Sequence, residues 1–269
     1  VGLGLGLAVL VAAAIIVPFS VRRSPGWLIS LYQETLSSYA YATLNTANLY
    51  YLIGANWTSL EAHVPTALPL VTALAAMSGG LWLLLSGETP SLRSQPRRSA
   101  LGALCLLLAL YQFGLTFFGG NYTAYGYGMM AFAFLLAAVC LAFDRQASHL
   151  PFYLALSLIL IYVLGLKVHE RYLLPALPLL LIAYVLTRDR RLLALCVGFS
   201  ITTFINTAIV LDNAILFGAE MGHLNNDTLV LNDVLCVLNL LLCGFSIWMA
   251  YTGLRPSAAP QPQEAGPAV

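Results

Sequence analysis

The chain has 269 residues, of which 60% are hydrophobic and only 9% charged, with a formal net charge of +1. A water-soluble domain carries about 25% charged residues. The composition and a mean hydropathy of +0.84 therefore describe a polytopic membrane protein, and so small a net charge points away from nucleic acid as a partner. The five cysteines (Cys105, Cys140, Cys196, Cys236 and Cys243) are scattered through apolar segments without a CxxC or any metal-ligand spacing, so they read as buried free thiols and no metal site is expected.

A helix needs about 20 apolar residues to cross a roughly 30 Å hydrocarbon core. Runs of that order lie at 2–20, 65–86, 100–118, 125–143, 150–166, 172–187, 191–211 and 229–252. The expected fold is all-α and polytopic, with about eight membrane helices, because a lipid-exposed backbone must satisfy its own hydrogen bonds. The first run starts at Val1 with neither an initiator Met nor the basic flank of a signal peptide. The chain is accordingly expected to be the C-terminal part of a longer protein.

After the first run comes an interfacial segment, 21–64. It is too polar to span and rich in the Tyr and Trp that favour the headgroup layer. An interfacial helix followed by a re-entrant or surface loop is expected, since "GANW" (54–57) interrupts any regular run. Further on, "RSQPRRS" (93–99), "FDRQ" (143–146) and "TRDRR" (187–191) fall on one side if the spans alternate. Basic loops mark the cytoplasm. The outer side then receives 20–64, 119–124, 167–171 and 212–228, with Arg22 and Arg23 as exceptions to the charge rule. Residues 1–254 form one transmembrane domain in this reading, and the Pro/Ala-rich segment 255–269 is a disordered cytoplasmic tail.

Between the fifth and sixth runs stands "LGLKVHERYLLPALPLLL" (164–181), with Pro175 and Pro178 placed to tilt or break the helix that follows. Lys167, His169, Glu170 and Arg171 would occupy a short turn at membrane-surface depth. Lys and Arg supply donors, Arg as a bidentate fork for phosphate, and His donates or titrates near neutrality. Glu170 would orient the cations. A self-neutralising snorkelling anchor is the plainer reading of such a turn. More polar groups share the outer face, however: "LNTAN" (44–48), with Asn45 and Asn48, then Trp57, and "NTAIVLDN" (206–213), with Asn206 and Asp212. Polar residues buried at a span end are costly and are usually functional or paired. Together these residues favour a site for an anion with an apolar remainder.

"KVHERYLLPALPLLL", followed by "ITTFINTAIVLDN" (201–213), resembles the C-terminal half of GT-C-fold glycosyltransferases. More narrowly it resembles the bacterial mannosyltransferase-like integral membrane proteins that use polyprenyl-phosphate sugars. Eukaryotic dolichyl-phosphate-glucose-dependent glucosyltransferases carry a similar His-Glu-Lys element. "YATLNTANLYYLIGANW" (41–57) is similar to the Asn- and Trp-containing outer loop of the bacterial group, so the likeness covers much of 20–215. It implies transfer of mannose or another hexose from a polyprenyl-phosphate donor to a glycan, lipid or protein acceptor, on the outer face of a bacterial cytoplasmic membrane. Lys167, His169 and Arg171, with Arg22 and Arg23, would contact the donor phosphate. Asn45, Asn48, Trp57, Asn206 and Asp212 would line the substrate pocket. The donor is a substrate, and no cofactor is implied.

The family also carries a catalytic acid in its first outer loop, and no such loop precedes residue 20. The chain is thus expected to hold a donor-binding half, leaving Glu34 and Glu61 as weak candidates for an acid or base beside His63. "GGNYTAYGYG" (119–128) reads as an interface anchor, and His223 with Asp227 as a solvated loop. Asp233 and Asn232, in the first turns of the last span, suit a helix dipole. Asn56, Asn121 and Asn226 match the glycosylation pattern, which matters only in a eukaryote. Two other classes compete: a transporter or flippase of a lipid-linked or anionic substrate, and a non-catalytic membrane subunit. Charges gathered at one face, with nearly charge-free spans, weigh against transport.

Overall fold

The computed structural model describes residues 2–24, 26–86, 96–144, 146–217 and 226–254. The expected tail at 255–269, His223, Arg93 and Arg145 lie outside the described residues, as do the side chains of Asn226 and Asp227. Among the described residues eight helices are long and apolar enough to cross a membrane. The protein is an all-α polytopic integral membrane protein, as its apolar runs require.

The chain divides into two compact units, 1–40 and 41–269. The first unit holds α1 (Gly2–Ser20) and α2 (Trp27–Ser38). None of the α1 side chains is buried, and the helix is apolar all round. The helices are joined through Trp27, whose indole N–H donates to Ser20 Oγ at 3.0 Å. The Arg23 guanidinium lies 5.4 Å from the same ring.

The second unit opens with a two-residue strand β1 (Thr43–Leu44) and a single-turn helix α3 (Leu49–Leu52). The long helices follow: α4 (Ala67–Leu85), α5 (Pro96–Phe118), α6 (Tyr122–Ala142), α7 (Leu150–Leu164), α8 (Ala176–Thr187), α9 (Arg190–Phe217) and α10 (Asn226–Thr252). Between α7 and α8 lie strand β2 (Val168–His169) and a 3-10 turn, Glu170–Leu173. Consecutive helices pack on one another, and α7 also meets α10. α7 is the central helix: Phe152, Ala155, Leu156, Ile159, Leu160, Tyr162 and Val163 are all fully buried.

Local chemistry sets the boundaries. Asn121 starts α6 three residues earlier than the apolar run suggests, because its side chain accepts from the Ala124 amide at 2.9 Å. Pro175 precedes α8, whereas Pro178 falls in its first turn, where a missing N–H costs nothing. Only the first of these prolines separates helical segments. Against α5, Gly80 of α4 approaches so closely that an added Cβ would stand 3.0 Å from the Gly102 carbonyl oxygen.

The loops of this unit sort to two ends. At one, which we term the loop end, Lys167 N donates to Ala42 O at 3.1 Å and Tyr122 N to Ala62 O at 3.1 Å. At the other, the arginine end, Arg97 donates to Ala250 O and Arg191 to Gly253 O. Residues 97–98 and 187–191 thus share the end opposite 167–171.

Candidate functional site

Residues 41–55 form a loop buried within the protein. Ala42, Thr43, Thr46, Ala47, Asn48 and Tyr50 are wholly buried, with Leu44 and Asn45 nearly so. Irregular backbone at membrane depth persists only where protein satisfies its polar groups, and here helical asparagines do so. Asn206 of α9 donates to Asn45 O at 2.9 Å and accepts from Ala47 N at 3.1 Å. Tyr162 of α7 donates to the same Asn206 oxygen at 3.3 Å. Asn239 of α10 donates to Ala47 O at 2.8 Å. Asn239 is about 20 Å along the helix from Thr252, well short of the ~30 Å thickness of a membrane core. Ala47 therefore lies against the middle of α10.

This anchoring brings β1 against β2 as a parallel pair, with Thr43 opposite Val168 and Leu44 opposite His169. Thr46 Oγ1 donates to Val168 O at 2.7 Å, and Tyr50 Oη to Leu164 O at 3.2 Å. Segments more than 120 residues apart are held side by side, so the Lys167–Arg171 element shares its end of the bundle with the 41–59 loop.

The loop's outer rim is an amide ring. Asn45 N donates to Asn56 Oδ1 at 2.8 Å, and Asn56 Nδ2 returns to Asn45 Oδ1 at 2.8 Å. The Trp57 indole N–H donates to that same oxygen at 2.9 Å. Tyr41 meets Trp57 edge-to-face with centroids 5.2 Å apart. Asn45, Trp57 and Lys167 have left-handed backbone at φ 54°, 55° and 56°. Asn tolerates that region, but each of the others pays about 1–2 kcal/mol. Strain of this kind persists where surrounding structure imposes it, and it clusters at working sites.

In the charged element, Glu170 is buried while the Arg171 side chain is 63% exposed, with the two charges 3.8 Å apart. His169 Nδ1 lies 4.0 Å from Glu170, and its ring meets Tyr172 edge-on at 5.3 Å. Burial holds the His169 imidazole below its ordinary pKa, Glu170 opposes this, and Arg171 reinforces it. At neutral pH His169 is therefore an uncharged hydrogen-bonding group rather than a cation. Glu170, between the two, is placed to orient them.

The remaining sequence candidates separate. Asn45 and Trp57 bond to each other, and Asn48 is spent on the loop: it caps α3 by accepting from Tyr51 N at 3.1 Å. Asn206 likewise serves loop backbone instead of lining a pocket. Asp212, expected to be buried beside Asn206, is exposed. Six residues on a helix rotate the side chain about 120° away, whereas Asn213, seven on, is buried and donates to Ile209 O at 2.8 Å. Asn232 faces inward too, within 3.4 Å of Asn206, so burial rather than a dipole explains it, while Asp233 is exposed. Glu61 is exposed at the loop end and accepts from Asn121 at 3.2 Å. Arg22, Arg23 and Glu34 are exposed within the first unit.

Sequence reasoning missed Tyr162 and Asn239 as loop anchors. It also missed a partly buried group at the arginine end: Asp144 Oδ2 receives His149 Nδ1 at 2.7 Å and Tyr153 Oη at 2.7 Å. Burial alone would raise the Asp144 carboxyl, yet hydrogen bonds from His149, the Gln146 amide and Tyr153 hold it below its ordinary value.

Fold and site define an integral membrane protein with a buried loop and a charged element at one end. Comparison with family models, curated proteins and solved structures finds no match for this chain.

Proposed function

We propose that this chain is the donor-binding part of a GT-C-type membrane glycosyltransferase. It would take a hexose, mannose first among candidates, from a polyprenyl-phosphate donor and pass it to a glycan, lipid or protein acceptor. The loop end would face outward from a bacterial cytoplasmic membrane. One observation carries the reading: the buried loop pairs with Val168–His169 and so sets a Lys-His-Arg element at the same end of the bundle as an aromatic rim, with left-handed backbone at Lys167 and Trp57. Cations and donors suit a phosphate, and aromatic edges suit a sugar face.

In the transfer, the bond between the sugar's anomeric carbon and the phosphate oxygen breaks, and its electron pair stays with the phosphate. A bond from the acceptor oxygen forms, and the acceptor's proton leaves to a base. Preorganised donors aimed at growing charge accelerate such a step. Arg171 supplies a fork, Lys167 a point charge, and His169 a neutral N–H donor. Glu61, at the same end, stays the weak candidate for the base. Asn206 and Asn239, two of the buried polar groups of the spans, bond to loop backbone, which argues against a transport route along them.

Charge-assisted contacts contribute about 1.5–3 kcal/mol each, so His169→Ala or Arg171→Ala should lower transfer from polyprenyl-phosphate mannose about ten- to a hundredfold. The assay uses full-length protein normalised to folded material. Arg171→Lys should recover only part of the loss, since a point charge lacks the bidentate fork. Wild-type transfer by both Ala variants would refute the proposal.

A further inference from the structure

The arginine end carries a pocket lined by Pro96, Arg97, Arg98, Phe143 and Tyr251. Arg97 reaches Ala250 O through one terminal nitrogen, but its Nε is buried with no hydrogen-bond partner. Arg98 donates from Nε to Leu83 O at 2.5 Å and from a terminal nitrogen to Trp82 O at 3.2 Å and to Ser86 Oγ. All of these acceptors are uncharged. Among the described residues no carboxylate lies within ion-pair distance of either guanidinium. Two described acids of this end are engaged elsewhere, Asp144 with His149 and Tyr153, and Asp189 with Arg191 at 2.6 Å.

The positive charge is reinforced by the backbone. Pro96 opens α5, so the N–H groups of its first turn have no carbonyl partner inside the helix, and the helix dipole adds to the arginines. Two guanidiniums, one with a buried unmet donor, and a helix start thus converge without a counter-ion among the described residues. The carbonyls that the two arginines meet at the ends of α4 and α10 offset part of this charge, and an anion supplies the remainder. Its surroundings specify the anion's other half. Trp82 and Tyr251 pack 6.1 Å apart as interface aromatics, and Leu85 and Phe143 expose apolar surface at 75% and 43%.

We propose that this pocket binds the phosphate of an anionic phospholipid, with Arg97 and Arg98 on its oxygens and its acyl chains along the exposed apolar surface. Free phosphate shares the headgroup chemistry, but the adjoining apolar surface has a use only if the anion carries chains.

The test places the full chain in nanodiscs of phosphatidylcholine with phosphatidylglycerol and reads retained lipid by native mass spectrometry. Phosphatidylglycerol should be retained about tenfold over its share. Arg97→Gln should bring retention near parity, while Arg190→Gln, at an exposed arginine of the same end, should leave it unchanged. In wild-type protein, which avoids any folding defect, a photoreactive phosphatidylglycerol should label peptides containing Phe143 or Tyr251. Absence of preference, equal loss in the Arg190 variant, labelling away from these peptides, or displacement of the lipid by millimolar inorganic phosphate would each overturn the proposal.

Discussion

The two ends of the second unit solve one problem with different chemistry. At the loop end, buried irregular backbone is satisfied by neutral amides: Asn206 and Asn239 bond to Asn45 and Ala47. At the arginine end the exposed carbonyls belong to helix C-termini, and cations meet them. Arg98 reaches the last turn of α4, and Arg97 and Arg191 reach Ala250 and Gly253 at the end of α10. Cations there also complement the helix dipole. The contrast assigns different work to the charges. Arginines 97, 98 and 191 are built into helix ends, whereas Arg171 extends outward, its ion-pair partner being Glu170 of the same turn.

The largest effect should come from cutting the neutral network. Asn206→Leu removes the hydrogen bonds to the buried Asn45 carbonyl and Ala47 amide, at about 1–3 kcal/mol for each. A loss of about 3–5 kcal/mol should appear as a much lower thermal unfolding midpoint in detergent, with 41–55 becoming sensitive to protease. A loop that stays protected in this variant would show that its hydrogen bonds are incidental.

Next comes helix packing toward the arginine end. In Gly102→Ala the new methyl would meet Leu84 at 2.8 Å and the Gly80 carbonyl oxygen at 3.2 Å. Leu84 can turn aside, but the backbone oxygen cannot. Overpacking of about 1–3 kcal/mol is expected, read in the same melts, with the loop end unaffected.

The partly buried Asp144 gives the arginine end a pH response. Its carboxyl is held below its ordinary value in the folded protein, so the unfolded chain binds the proton more readily. Stability from this group is therefore fully present above the ordinary carboxylate pKa of about 4 and is lost as pH falls through the folded value. Acid melts should show that loss in the wild type and a flatter profile in Asp144→Asn. The smallest effect belongs to Asp212, exposed about 33 Å along α9 from Arg190 and so past a roughly 30 Å core. Asp212→Ala should shift stability by no more than about 0.5 kcal/mol.

The helices were legible because membrane burial writes itself as long apolar runs, and the sorting of basic loops followed from alternation. The break at Pro175 was legible too. What the sequence hid was which way each polar side chain points. Asn206 and Asp212 sit close in sequence, but helical rotation buries one and exposes the other. The burial of 41–55 was hidden as well, because composition cannot register hydrogen bonds from asparagines 159 to 192 residues away. A usable signal did exist: Asn232 and Asn239, like Asn206 and Asn213, are seven apart and hence on one helix face. The Asp144–His149–Tyr153 group has spacings that no familiar motif marks.

The assignment of work between the ends can be measured directly by photocrosslinking. A polyprenyl-phosphate mannose bearing a photoreactive group near its phosphate would be irradiated with the full-length protein in membranes, and the adducts mapped by mass spectrometry. Adducts are expected in peptides covering 41–60 and 164–173. Adducts found only outside those two segments, in membranes holding phosphatidylglycerol in excess to occupy the Arg97–Arg98 pocket, would contradict this assignment.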